Sequence, residues 1–127
     1  MTRNIAFIGG GNMAGAIIGG LRRRGFDANV IDVVEIAAEA RAGIAERHGV
    51  AAHADIAALA SLGDIVVMAV KPQQMKAAAS ALAARIGGTL VLSIAAGIRI
   101  ADLARWLGGH ERIVRCMPNT PALIGYG

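Results

Sequence analysis

The chain has few of the residues that usually supply disulfides, metal clusters and aromatic packing. One cysteine, Cys116, stands among 127 residues. No internal disulfide and no cysteine-built metal cluster can form from it, which fits a reducing compartment. As a lone thiol in an apolar run it is expected to be a small buried hydrophobe. Aromatics make up only 3% of the residues, against 55% hydrophobic overall. The core must therefore be built from Ala, Val, Ile and Leu, the composition of parallel strands buried on both faces under helices. No apolar run reaches the roughly 18 residues needed to span a bilayer. The opening MTRNIAF enters a strand pattern without a leader signature, so a soluble, cytoplasmic chain with no membrane partner is expected. Charge is also modest, +4 from 13 basic and 9 acidic residues. The arginines are dispersed except in RRRG at 22–25, where a helix's last turn and C-cap favour them. Nucleic acid is not an expected partner.

Glycine is abundant, with 17 residues, and three of them stand together as Gly9, Gly10 and Gly11. They follow the strand-like NIAFI (4–8) and open a helical pattern over 12–24 with Met13, Ile17, Ile18 and Leu21 on one face. Further along, apolar and helical blocks alternate. NVIDVV (29–34) reads as a strand, 36–48 as a helix closed by Gly49, 50–52 as a short strand and 55–62 as a short helix. DIVVMAV (64–70) reads as a strand buried on both faces, and Pro72 opens a helix through about Arg85. TLVLSIA (89–95) is a strand, 99–107 a helix and RIVRCM (112–117) a sixth strand. This alternation predicts one α/β domain, a doubly wound parallel sheet with helices on both faces. The chain stops in ALIGYG with no helix to cover the last strand, so it is expected to be the N-terminal portion of something longer.

The glycine spacing, Gly9-x-Gly11-x-x-Ala14, matches a dinucleotide fingerprint in its proper strand-to-helix context. Gly9 allows a tight turn, Gly11 lets a diphosphate reach the backbone, and Ala14 lets helix and strand pack closely. The helix N-terminus then offers N–H groups and a partial positive charge to the phosphates. The alternative is a glycine turn that serves packing alone. Glu35, at the end of the second strand, is placed to accept hydrogen bonds from ribose hydroxyls and to repel a 2′-phosphate. With no arginine before Arg41, it favours NAD over NADP. Equally, Glu35 could be a solvated acid in a helix's first turn. Three later strand exits would join the glycine turn: Ala69, Val70, Lys71 and Pro72 on one, Ala95, Ala96 and Gly97 on the next, and MPNTP (117–121) on the last. Lys71 can orient the nicotinamide or a phosphate, or be a surface lysine. Ala95, Ala96 and Gly97 leave little bulk beside a flat ring, and Asn119 is an amide held between prolines. His48, His53 and His110 fall at a helix end and in loops, away from these exits, with no metal-ligand spacing and no triad. No metal site and no catalytic residue is assigned.

On FIGGGNMAGAIIGGL, VVMAVKPQ, LVLSIAAGI and RIVRCMPNTPALIGYG, in that order, the chain resembles the N-terminal cofactor domain of the pyrroline-5-carboxylate reductase family. The resemblance covers essentially the whole chain. It implies a Rossmann-type fold and hydride transfer from NAD(P)H to the C=N bond of 1-pyrroline-5-carboxylate, giving L-proline. It implies cofactor contacts at Ile8, Gly9, Gly10, Gly11, Asn12 and Met13 (pyrophosphate), at Ala69, Val70, Lys71 and Pro72, and at Ala95, Ala96 and Gly97 (nicotinamide). Asn119, Thr120 and Pro121 would form the substrate-side wall. It also implies a C-terminal helical domain, absent here, that grips the substrate and forms a homo-oligomer. Two features depart from the family's usual NADP pattern: Glu35 replaces a small polar residue, and the region of Ile56 lacks an asparagine. Alternative readings are a reductase of the F420 or ketopantoate type, which MPNTP argues against, and a non-catalytic NAD(P)-sensing module, which would not need SIAAG or MPNTP.

Overall fold

A computed structural model describes residues 4–116. Six parallel strands form one sheet in the order β3-β2-β1-β4-β5-β6: β1 Ile5–Ile8, β2 Ile31–Val34, β3 Ala51–His53, β4 Ile65–Met68, β5 Leu90–Ser93 and β6 Ile113–Arg115. Four helices connect them: α1 Asn12–Arg23, α2 Ala38–His48, α3 Pro72–Leu82 and α4 Ile100–Trp106. β1 lies at the centre, with Ile8 opposite Val34 on one side and Met68 on the other. All four of its residues are buried, as an unbroken apolar strand between two neighbours requires.

Alternation along the strands divides the core into two layers. Phe7, Ile31 and Val33 face Ile18 of α1 and Ile44 of α2. Ala6, Ile8, Val66, Met68 and Val91 face Met75, Ala79 and Leu82 of α3 and Leu103 of α4. Helices therefore cover both faces, as the sequence pattern predicts.

Several boundaries differ from the sequence-based ones for identifiable reasons. The α2 helix starts at Ala38, because Glu35 Oε2 accepts from the Ala37 N–H (2.8 Å) and holds 35–37 as a turn. Instead of a helix over 55–62, the chain makes a single 3₁₀ turn at Ile56–Ala58. Asp55 Oδ1 caps the turn at Ala58 N (3.0 Å), and the Arg85 guanidinium donates to the Ile56 and Leu59 carbonyls at 2.8 and 2.7 Å. The β4 and β5 strands end at Met68 and Ser93, so residues 69–71 and 94–97 are free to form loops at the carboxyl edge. Cys116 continues the ladder, its N–H donating to Ser93 O (2.8 Å). Its side chain is exposed rather than buried, because β6 is an edge strand.

Arg22, in the last turn of α1, donates to the Phe26 and His48 carbonyls at 2.8 and 3.2 Å. This is the C-terminal role expected of the arginine run. No helix of the described residues is long and apolar enough to cross a membrane.

Candidate functional site

The chain leaves β1, builds β2 and β3 to one side, then crosses back to place β4 on the other. The exits of β1 and β4 therefore lie side by side where strand order reverses, the position at which open parallel sheets bind ligands. The two exits are joined by a hydrogen bond from Ala69 N to Ile8 O, and Gly9 N ties the β1 exit to β2 through Val34 O, both 2.8 Å.

The three glycines at this crevice answer to three different constraints. Gly9 has φ +103°, and a Cβ there would lie 2.7 Å from the Ala69 carbonyl oxygen, so the turn and the neighbouring backbone both require glycine. A Cβ on Gly10 would come within 3.2 Å of Val33 Cγ1 and Glu35 Cβ, so packing against β2 keeps it bare. Gly11 has φ −78° and ψ −165°, a conformation open to any residue, and a Cβ there would meet nothing within 4 Å. Neither backbone strain nor a neighbour among the described residues explains glycine at position 11.

Gly11 is also the N-cap of α1. No side chain caps the helix and its first turn carries no acid, so α1 itself supplies nothing to satisfy its initial N–H groups or to offset their partial positive charge. Ala14 is fully buried against the sheet, as close helix–strand packing needs. A diphosphate fits this cradle: the space, the donors and the sign of the field all agree. Ile8 is buried beneath the turn, while Asn12 and Met13 are exposed at its rim.

Glu35 stands beside the glycine turn and is not a solvated helix acid. Its Oε1 accepts from Gly10 N at 2.8 Å and its Oε2 from Ala37 N at 2.8 Å. Each carboxylate oxygen keeps a lone pair for a further donor. Its own N–H donates to the His53 carbonyl (2.9 Å), so β3 helps aim it. His53 is not in a loop away from the site: it ends β3 at the carboxyl edge, and its Nε2 pairs with Asp32 Oδ1 at 3.0 Å. His110 lies elsewhere, its Nε2 2.7 Å from Thr89 O.

On the β4 exit, Ala69 and Val70 are half-buried, while Lys71 and Pro72 are exposed and begin α3. After β5, Ala95 is buried, and Ala96 and Gly97 are exposed. Gly97 has φ +79° and open space where a Cβ would be. Just before them sits Ser93, 1% exposed, its hydroxyl without a hydrogen-bond partner among the described residues. Asn119, Thr120 and Pro121 lie outside the described residues. Among the described residues no group of three potential metal ligands is present. A polar depression of about 410 Å³, lined by Asp64, Thr89 and Arg112 among others, opens at the amino ends of β4 and β5, the opposite edge from the glycine turn.

Two contributors were not anticipated from the sequence, the Val33 wall against Gly10 and the Arg41 guanidinium. Arg41 reaches back to the Glu35 and Ile36 carbonyls at 2.9 and 3.2 Å. Strand periodicity could have suggested Val33. The backward reach of a long side chain has no sequence signature.

Strand order, two helical layers and the bare turn at the switch point define a Rossmann-like α/β fold. Residues 4–97 match the family described as NADP oxidoreductase, coenzyme F420-dependent, and the chain belongs to that family. It is similar to the pyrroline-5-carboxylate reductase of Pseudomonas aeruginosa, with 48% identity over 127 residues, 99% of this chain and 46% of that protein. Among solved structures it is similar to a pyrroline-5-carboxylate reductase from Coxiella burnetii, with a TM-score of 0.90 and 41% identity over 98% of this chain and 47% of that one. It is also similar to the Plasmodium falciparum pyrroline carboxylate reductase solved with NADP bound, with a TM-score of 0.81 and 25% identity over 97% of this chain and 45% of that one. These findings bear out the resemblance read from the motifs. The chain spans about half the length of the curated relatives it matches.

Proposed function

We propose that this chain is the cofactor-binding half of an enzyme that reduces 1-pyrroline-5-carboxylate to L-proline with NAD(P)H, the last step of proline biosynthesis. The observation that carries the cofactor reading is Gly11, a glycine that no backbone strain and no neighbour among the described residues requires, at the mouth of a helix with no side-chain cap. The family model ends at residue 97, whereas the reductase of Pseudomonas aeruginosa matches 99% of the chain. That wider match favours the pyrroline substrate over an F420 partner.

Within this reading, the N–H groups at the start of α1 hold the diphosphate and Glu35 accepts from the adenosine ribose. Ala69, Val70, Lys71 and Pro72 line the middle of the dinucleotide. Ala95, Ala96 and Gly97 leave a flat backbone shelf for the nicotinamide, and Asn119, Thr120 and Pro121 are assigned to the substrate side. A bound reduced nicotinamide supplies the hydride. The chain's own part is to fix that ring's position and shield it from water, since orientation provides much of the rate when the acceptor is an electrophilic imine. The groups that grip the substrate, and the contacts that build a homo-oligomer, belong to a C-terminal helical domain beyond these 127 residues. Glu35 supports NADH, while the family description and the NADP-bound relative support NADPH.

The test is titration of the chain with NADH and NADPH, beside a Glu35→Ser variant and an assay for proline. Binding of a reduced dinucleotide without steady-state turnover is expected, with NADH weakened in the variant. Failure of both dinucleotides to bind overturns the reading, and steady-state proline formation by the 127 residues alone overturns the division of labour.

A further inference from the structure

The geometry points to a second ligand site, for a free α-amino acid, at the sheet edge opposite the glycine turn. It does not depend on the cofactor reading above. The site is the depression of about 410 Å³ at the amino end of β5, a volume within the range of about 300–1,000 Å³ usual for small-molecule sites. Asp64 lines it from the β4 side and Arg112 from the β6 side, with Thr89 between them. Backbone hydrogen bonds fix this rim: Leu90 N donates to Asp64 O at 3.1 Å, and Val91 N to Arg112 O at 2.8 Å.

Each of the three side chains is held by one contact and has bonding capacity left over. Asp64 Oδ2 accepts from Asn4 N at 3.0 Å, which leaves Oδ1 without a partner among the described residues. Arg112 Nη1 donates to Gly88 O at 2.7 Å, which leaves the donors of Nε and Nη2. Thr89 Oγ1 donates to Gly63 O at 3.2 Å, which leaves its lone pairs as acceptors. Asp64 and Arg112 carry opposite charges into one depression, yet neither forms an ion pair among the described residues. Their strands are two spacings apart, about 10 Å, with β5 between them. A ligand that satisfies both must bring an anion to Arg112 and a cation to Asp64 at once. An α-amino acid does so. Its carboxylate matches the guanidinium fork, and its ammonium has Asp64 Oδ1 and the Thr89 hydroxyl as acceptors. A plain anion would also meet the Asp64 carboxylate, and a plain cation the Arg112 guanidinium. Gly88 is a second mark of a ligand here. Its φ lies outside the left-handed region, and a Cβ on it would meet nothing within 4 Å. Neither strain nor a described neighbour requires glycine there, and its bareness keeps the depression open beside Arg112.

The experiment is heteronuclear NMR titration of the 127-residue chain with each standard amino acid. Both charged side chains reach solvent, so the expected Kd is modest, about 1 mM or below for at least one amino acid. Amide signals of residues 63–65 and 88–90 should move, and those of residues 9–11 should stay in place. The methyl ester of that amino acid lacks the carboxylate charge, and its N-acetyl derivative lacks the ammonium. Each is expected to bind about five-fold more weakly or worse, as is the amino acid itself to Asp64→Asn and to Arg112→Gln. Asp64→Asn keeps an oxygen for Asn4 N, and Arg112→Lys, which keeps the charge, should recover part of the loss. The two derivatives probe the same contacts on the wild type, so the outcome stands even where a variant unfolds. No shift with any amino acid, shifts at residues 9–11 alone, full binding of either derivative, or full binding to both charge-removing variants would each overturn the site. Any of these leaves the cofactor reading untouched, and a chain that binds no dinucleotide leaves this site standing.

Discussion

Replacing Gly11 and Gly9 separately by alanine should split folding from binding. At Gly11 the backbone conformation suits alanine, and the new methyl meets no protein atom within 4 Å. Stiffening the unfolded chain contributes about 0.4–1 kcal/mol, and exchanging glycine for alanine at an N-cap costs a similar amount. The net change in stability should lie within about 0.5 kcal/mol. At Gly9 an alanine must hold φ +103° with its Cβ 2.7 Å from the Ala69 carbonyl oxygen. Backbone strain and overpacking together should cost about 2–4 kcal/mol. Binding should show the reverse contrast: in Gly11→Ala the methyl occupies the space through which a diphosphate reaches the α1 N–H groups. Losing one charge-assisted hydrogen bond raises Kd by about ten- to hundred-fold. The assay is urea unfolding with and without NADPH. At a ligand concentration of about 100 Kd, the wild type gains about 2.7 kcal/mol from binding. A variant with Kd raised hundred-fold gains only about 0.4 kcal/mol at the same concentration. A Gly11→Ala protein that keeps the full ligand-linked gain refutes the reasoning, as does one destabilised as much as Gly9→Ala.

Two further predictions concern polar groups in or beside the core. Ser93 is 1% exposed and its hydroxyl has no partner among the described residues. Ser93→Ala should therefore raise stability in the absence of ligand by about 1 kcal/mol, by removing a desolvated unpaired group, and a loss of stability in urea unfolding would mean that the hydroxyl is satisfied after all. His48, at the end of α2, has its pKa held below the ordinary histidine value, first by burial and then by the positive charges of Arg47, Arg22 and Arg23. The unfolded chain then takes up the proton at a higher pH than the folded one. Stability is intact above a pH of about 6.5, falls as the pH drops toward the folded pKa, and levels off below it. His48→Gln should flatten that slope, and equal slopes in the two proteins between pH 7.5 and 5.5, values of about one unit either side of 6.5, would dispose of the assignment.

Much of the fold was legible because its signals are local. IAFI and IVVM are apolar at every position, as only a strand covered on both faces tolerates, and all of β1 and most of β4 is indeed buried. Pro72 at the first turn of α3 and Gly49 in a left-handed C-cap at φ 70° mark helix ends where the sequence suggested them. The misplaced features depend on contacts between distant residues. The helix expected over 55–62 yields to Arg85, which draws two of that segment's carbonyls to itself across 26 and 29 positions. Cys116 reads as a core residue from its apolar neighbours, and only the strand order shows that it sits on an edge. The start of α2 is displaced by the Glu35 carboxylate, whose Oε2 holds the turn at Ala37 while its Oε1 reaches the glycine loop at Gly10. One side chain both moves a helix boundary and joins the turn after β2 to the glycine turn.

The glycine fingerprint itself mixes two kinds of constraint that spacing alone does not separate. Gly9, Gly10 and Ala14 are fixed by the protein: a left-handed turn against Ala69, a tight wall at Val33, and a helix packed on the sheet. A chain with this fold and no dinucleotide would still need all three. Gly11 is different, because the described residues would accept a side chain there at almost no cost. Its bareness has physical value only if something outside the protein comes within van der Waals reach of the backbone. The nearest backbone groups are N–H donors at the start of a helix that carries no acidic first turn. An approaching cation would be repelled, and an apolar group would strand those donors away from water. An anion with several acceptor oxygens satisfies both the space and the donors, so position 11, more than the motif that contains it, is what the proposed diphosphate site rests on.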